Sequence, residues 1–175
     1  FNDRDAIGID LPWRLTDRSQ QSSPGLTMAM LELLELAGGR LTASGLERLL
    51  ANPALQRQQD LDADEAGAMT RILQQTGFRW GLDAQERSGD ETHSLRWCLD
   101  RWLLGLVLPQ RDGLAAGGAA PFHQDLEPQR LVRWWSVLDR LLRWMQRLRQ
   151  SRSCASWADL LRQLLDDLFG DGGDW

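Results

Sequence analysis

One stretch of the sequence, LRWCLDRWLLGLVL from Leu95 to Leu108, constrains the fold more than any other. In its first half, apolar side chains recur every three or four residues, which predicts an amphipathic helix. In its second half, from Trp102 onward, no side chain is polar. A helix that is apolar on every side is normally surrounded by other helices, and we expect such burial here. Gly105 indicates a close approach of another backbone, since glycine in mid-helix otherwise costs about 1 kcal/mol relative to alanine.

The rest of the chain repeats this helical periodicity, so the sequence predicts an all-α, bundle-like helical domain with a short extended N-terminal segment. The alternating apolar residues of Ala6–Leu15 predict the extended part. Besides the Leu95–Leu108 helix, helices are predicted at 24–36, from 42 or 44 to about 52, at 53–57, 62–76, 127–150 and 156–168.

Residue chemistry at the helix ends supports these bounds. Serine, threonine and aspartate side chains cap the first turn of a helix, and glycine commonly ends one. The predicted starts are Ser23 ahead of Pro24, either Thr42 or a capping box of Ser44 with Glu47, a start at Asp62 with Glu65 three residues later, and Ser156; the predicted stops are Gly38–Gly39 and Gly77.

The domain organisation follows from the same pattern. We expect residues 1–23 to be the extended segment, residues 24–170 the helical domain and residues 171–175 a frayed tail. The glycine- and alanine-rich stretch at 110–122 is the best internal boundary, and a division there would give subdomains 24–109 and 123–170.

Composition excludes several classes of protein. All 20 basic residues are arginine, and without lysine the chain has neither a Walker A phosphate loop nor a Schiff-base lysine. No apolar run exceeds about seven residues, far below the roughly 20 of a membrane span, and we predict no signal peptide. Cys98 and Cys154 favour free thiols in a reduced cytoplasmic setting over a disulfide.

The sequence predicts no catalytic, cofactor or metal site. Asp60, Asp62 and Asp64 begin like a calcium loop, but Glu65 stands where glycine is required, and carboxylates at a helix start explain the cluster better. His93 and His123 are far apart and lack acidic or cysteine neighbours at ligand spacing.

An arginine-rich helix is the one candidate interaction site. Residues 130–152 contain seven arginines and a single acid, Asp139. Three interpretations remain open: a solvated face balanced by the acidic last helix (Asp159, Asp166, Asp167), a contact with an acidic protein surface, or a track for nucleic-acid phosphates. The candidate DNA or partner contacts are Arg130, Arg133, Arg140, Arg143 and Arg147.

Eight of the nine tryptophans divide into two groups. Five lie on or beside the apolar stripes and favour core packing over a base-stacking platform: Trp97, Trp102, Trp134, Trp135 and Trp144. The others, Trp13, Trp80 and Trp157, are candidates for an interface.

Three motifs in order resemble the RecC family, the gamma chain of exodeoxyribonuclease V in the bacterial RecBCD helicase–nuclease. They are LPWRLTDRS at Leu11–Ser19, the turn GFRWGLD at Gly77–Asp83 and the helical LDRWLLG at Leu99–Gly105. The resemblance extends over roughly Asp10 to Leu108, and the two C-terminal helices agree only in general character.

The resemblance implies a middle segment of a longer chain, within a helicase-like part that has lost its ATPase motifs, at its mainly helical 2B-type region. It implies a non-catalytic module that acts in double-strand-break repair and recombination by bracing subunits and contacting the DNA path. The implied partners are a RecB-like beta chain, a RecD-like alpha chain and DNA through the whole complex, with no membrane and no small-molecule substrate. No residue that reads the recombination signal Chi is carried over, because no such motif matches. The alternative is a helical protein–protein interaction domain with no nucleic-acid role.

Overall fold

The computed structural model describes residues 25–109 and 118–170, and the secondary structure across these ranges is helical. β-pairing there is confined to an isolated antiparallel bridge between Thr42 and Trp80. The all-α prediction is therefore confirmed, while the extended segment at 1–23 and the tail at 171–175 lie outside the described residues. The seven helices are α1 (Leu26–Gly38), α2 (Ala43–Leu50), α3 (Pro53–Gln58), α4 (Ala63–Thr76), α5 (Leu95–Val107), α6 (Pro128–Leu148) and α7 (Cys154–Leu168).

Helix α4 shows the predicted end chemistry. The Asp62 side chain accepts a 2.7 Å hydrogen bond from the Glu65 backbone N–H, and Glu65 accepts one in return from the Asp62 N–H. This capping box confirms that the Asp62 carboxylate caps a helix, as its position predicted. At the other end Gly77 takes a left-handed φ of 103°, which a side chain would disfavour.

Helices α1 and α7 start within about one turn of the predicted positions, and α2 starts at one of its two predicted alternatives. Helix α1 begins at Leu26 after an N-cap at Gly25, and the predicted cap Ser23 lies outside the described residues. Helix α2 is capped by Thr42, whose hydroxyl accepts from the Gly45 N–H at 3.1 Å; Ser44 is already helical and the predicted Ser44 capping box is wrong. Helix α7 begins after Ser153, so Ser156 lies within its first turn.

The core lies where α6 crosses α1 and α5, and α4 packs against α2 and α5. Its largest fully buried side chains include Trp102, Trp134 and Phe169. Trp144 is also buried, while Trp97 and Trp135 are half-buried against the core, so all five stripe tryptophans pack as predicted. The division of residues 24–170 at 110–122 stays a prediction. Within the described ranges, no helix is both long and apolar enough to cross a membrane.

The structure of helix α5 confirms one expectation drawn from its sequence and contradicts another. A Cβ on Gly105 would overlap the carbonyl of Phe122, so the close backbone approach is confirmed. The expectation that the apolar half is surrounded by helices is wrong, because Val107 is 74% exposed and Leu108 38%. Helices α4 and α6 cover one side of α5 and the chain around Phe122 covers another, which leaves a third side open.

Candidate functional site

The arginine-rich helix α6 is held in place by an apolar stripe. Residues at helical spacing, among them Leu131, Leu138, Leu142 and Met145, are buried, and the arginines lie among the remaining, more exposed positions. Pro128 at the first helical position begins the helix without a side-chain cap. Packing of the stripe against α1 and α5 therefore fixes which way each guanidinium group faces.

The first two candidate arginines contact the start of α4. Arg133 pairs with Glu65 and donates to the Asp60 backbone carbonyl at 3.2 Å. Arg130 lies 4.0 Å from the same Glu65 carboxylate, which also accepts from the Trp134 indole N–H at 3.4 Å. Glu65 is thus shared between the α4 capping box and α6, and both arginines have partners within the chain.

The other three candidate arginines line one open cleft of about 380 Å³, together with Trp135 and Trp144. Arg140 donates to Gln59 Oε1 at 2.8 Å, and Arg147 stacks 4.1 Å above the Trp144 ring. The side chain of Arg143 is 70% exposed. The structure therefore brings Arg140, Arg143 and Arg147 together and leaves Arg130 and Arg133 at the other end of the helix.

Two carboxylates reduce the positive charge of this cleft. Asp167 in α7 accepts a 2.6 Å hydrogen bond from the Trp144 indole and lies 3.8 Å from Arg140. Of the three acids of the last helix named in the solvated-face interpretation, Asp167 is the one that contacts this cleft. Asp139 is buried on the cleft floor, paired with Arg143 one turn away and with Arg96 of α5 at 3.3 Å. A buried carboxylate needs such partners because its desolvation is otherwise unfavourable.

Arg96 has a second carboxylate partner within α5. Arg96 also lies 3.3 Å from Asp100, one helical turn on. Burial raises the pKa of the Asp100 carboxyl above its ordinary value; the Arg96 guanidinium lowers it and the nearby Asp139 raises it further. Arg96 therefore serves two carboxylates that compete for one positive charge.

Glu86 joins three segments of the chain, and the sequence analysis did not single it out. Its carboxylate accepts from the backbone N–H of Leu41 at 3.2 Å and of Leu82 at 2.6 Å. Arg149, at the end of α6, lies 3.1 Å from the same group. Two of these three partners, Leu41 and Arg149, are far from Glu86 in sequence, so no local pattern marks the residue.

The GFRWGLD turn at Gly77–Asp83 connects two parts of the fold through backbone hydrogen bonds. Gly81 donates to the Leu41 carbonyl at 2.7 Å and accepts from Leu95 N–H, the first residue of α5, at 2.9 Å. The turn therefore fixes the start of α5 relative to the α1–α2 connection. Within the turn, Trp80 is half-buried and contacts two guanidinium groups, Arg40 at 4.3 Å and Arg87 at 4.4 Å from its ring centroid.

The histidines and cysteines play local parts in this arrangement. His93 contacts the Gly77 carbonyl at 2.7 Å and His123 the Leu108 carbonyl at 3.0 Å. Cys98 is buried and Cys154 exposed, and both are free thiols. Among residues 25–109 and 118–170, no three His, Cys, Asp or Glu side chains come together as a set able to hold a metal ion.

Comparison with known proteins adds a family match over most of the chain. A family model described as the RecBCD enzyme subunit RecC fourth domain matches residues 23–175. RecBCD enzyme subunit RecC of Mycolicibacterium smegmatis is 27% identical over 169 residues, covering 93% of this chain and 16% of that protein. The Escherichia coli protein of the same description is 25% identical over 166 residues, covering 91% of this chain and 15% of its own length. The chain thus spans 15–16% of these two curated relatives.

Proposed function

The chain belongs to the RecC family, and we propose that it acts as a non-catalytic helical module of the RecC (gamma) subunit in a RecBCD-type helicase–nuclease. In this proposal it corresponds to the 2B-type part of the helicase-like region. It serves double-strand-break repair and recombination by bracing the complex against a RecB-like beta chain and a RecD-like alpha chain. The curated relatives are described as subunits of the RecBCD enzyme, which supports a role within a complex.

The observation that carries the bracing role is the use of charged side chains to tie distant segments together. Arg149 donates to the carbonyls of Ala37 at 2.9 Å and Gly39 at 3.1 Å while it pairs with Glu86. Arg101 bonds the Thr76 carbonyl and, at 2.7 Å, that of Ala120. Such multidentate ties between helices favour one rigid arrangement, which is what a brace requires.

The same ties support a non-catalytic role. A carboxylate can act in acid–base catalysis only when it is free to reach a substrate proton. The least exposed of the paired carboxylates, on Glu65, Glu86 and Asp139, already accept bonds from arginines or backbone N–H groups. These groups hold the fold, and we assign them no chemical step.

Direct contact with DNA is the second part of the proposal, and the arginine cleft supports it. Arg140, Arg143 and Arg147 present guanidinium groups along one side of α6 at one- and two-turn spacing. A phosphate can replace a carboxylate as the bidentate partner of a guanidinium. Because Asp139 and Asp167 share the cleft, we expect modest affinity for the backbone and no base readout.

Fluorescence anisotropy of a labelled forked DNA tests this contact. The chain is compared with an Arg140→Ala/Arg143→Ala/Arg147→Ala variant at low and moderate salt. A charge-matched control replaces three exposed arginines away from the cleft, Arg48, Arg71 and Arg162, with alanine. We expect binding that weakens with salt, and the cleft variant should lower the salt slope by up to about 3 while the control keeps it.

Two outcomes separate the parts of the proposal. Equal losses in the cleft variant and the control would indicate nonspecific charge and remove the DNA contact. No binding at tens of micromolar, with co-purification of the full-length chain and the beta chain intact, would leave the bracing role alone. No DNA binding together with loss of that co-purification would instead favour the alternative function, a helical protein–protein interaction domain with no nucleic-acid role.

A further inference from the structure

The open side of α5 forms an apolar groove, which we call the α5 groove. Its volume is about 460 Å³. The apolar side chains that line it from α5 are Trp97, Leu103, Leu104 and Val107, with Ala119 opposite and Asp100 and Glu91 as its acidic members. Val107 is the most exposed large apolar side chain in the described part of the chain, at 74%. A contiguous apolar surface with a polar rim is typical of a protein contact.

The groove follows one face of the helix. Trp97, Asp100, Leu104 and Val107 are three or four residues apart, so they project in one direction. The opposite positions, including Leu99, are fully buried in the core. Helix α5 therefore carries apolar side chains both on its buried side and on this third side, which the described residues leave open.

The charge of the groove indicates that its partner carries a basic residue. Both charged residues that line the groove, Asp100 and Glu91, are acidic. Asp100 has Arg96 at 3.3 Å, but Arg96 also pairs with the buried Asp139. A second cation beside Asp100 would relieve this competition, and burial already raises the pKa of that carboxyl.

We propose that the α5 groove docks an amphipathic segment of the same RecC-family polypeptide from outside these 175 residues. The segment places apolar side chains over Leu104 and Val107 and an arginine or lysine beside Asp100. The inference rests on the proposed role within a RecC subunit and names the surface and partner chemistry that role uses. A matched relative devotes 84% or more of its length to other segments, because the alignments cover 15–16% of it. A segment of the same polypeptide also reaches the groove at high effective concentration.

Photo-crosslinking in a full-length RecC-family chain that contains this segment tests the proposal. Val107 is replaced by the photoreactive p-benzoylphenylalanine, and mass spectrometry maps the crosslinked peptides. A control places the same group at Leu31 of α1, which is 47% exposed and lies outside the groove. We expect position 107 to crosslink to one peptide beyond residues 1–175 that contains a basic residue, and the control to give a different pattern.

A charge reversal then tests the ion pair. Asp100→Arg should reduce the Val107 crosslink at least fivefold, and reversal of the mapped basic residue to Glu should restore it. Crosslinks confined to residues 110–117, to a second copy or to another subunit would overturn the proposal, as would a failure to crosslink. If DNA binding and co-purification fail while the crosslink persists, the proposed function is wrong and the docking surface stands. If DNA binding and co-purification hold while the crosslink is absent, the proposed function stands and the docking surface is wrong.

Discussion

The Trp102 indole N–H donates a 2.6 Å hydrogen bond to the Thr76 hydroxyl, and this bond joins α5 to the end of α4 inside the core. Trp102 is 0% exposed and Thr76 1%. The same hydroxyl donates to the Ile72 carbonyl at 2.7 Å, so both its donor and its acceptor functions are used. A large apolar side chain thus has its one polar atom satisfied without water.

Thr76→Val should destabilise the chain by about 1–3 kcal/mol, because it keeps the shape of the side chain but leaves the buried indole N–H without an acceptor. The free energy of unfolding in urea measures this effect. In a Trp102→Phe background the same change should be nearly neutral, since no indole N–H remains. Equal effects in the two backgrounds would show that the hydrogen bond contributes nothing.

Gly105→Ala should destabilise the chain by about 1–3 kcal/mol, because its Cβ would overlap the Phe122 carbonyl, a backbone group that moves only with its whole segment. Gly67→Ala in α4 is the matched control: nothing lies within 4 Å of its Cβ, so alanine should stabilise the helix by about 0.5–1 kcal/mol. Thermal and urea denaturation give both values. Two changes of the same sign would contradict the close approach at Gly105.

Features set by near neighbours in sequence were predictable. The α4 capping box depends on Asp62 and Glu65, three residues apart, and its glycine stop on the next residue after the helix. Gly105 indicated the close approach of another backbone segment, because glycine in mid-helix is unfavourable unless such an approach requires it. The sequence did not decide whether Thr42 or Ser44 caps α2, since either hydroxyl can accept a hydrogen bond at the start of a helix.

Features set by distant residues were not predictable. An apolar run such as Trp102–Leu108 has the same periodicity whether its outer face is covered or open, so the exposed Val107 was missed. The arginine-rich helix was visible in the sequence, but the partners of its arginines within the chain were only partly foreseen: Asp167 lies in the acidic last helix, whereas Glu65 comes from α4. Glu86 has contacts 45 residues away, and no spacing rule reaches that far.

The two cysteines should react with a thiol reagent at very different rates. Burial raises the pKa of the Cys98 thiol to about 12, so almost none of the reactive thiolate is present at neutral pH. Cys154 is exposed at the start of α7. Timed labelling should show one fast thiol per chain, and the second should appear only as urea opens the fold. Cys154→Ser should abolish the fast phase; two equal rates in the unmodified chain would contradict the burial of Cys98.

Asp100→Asn should gain stability relative to the unmodified chain as the pH rises from about 3 to about 7. Burial raises the pKa of Asp100 above 3.8 in the folded state, so the folded chain binds this proton more tightly than the unfolded chain does. The free energy of unfolding of the unmodified chain therefore falls as the carboxyl ionises, and asparagine lacks that decrease. Asp90→Asn is the control of opposite sign, because hydrogen bonds from Thr92 lower the pKa of the exposed Asp90 carboxyl. Urea titrations at several pH values measure both differences in the free energy of unfolding. A gain in stability for Asp100→Asn that shrinks with rising pH would contradict the raised pKa of Asp100.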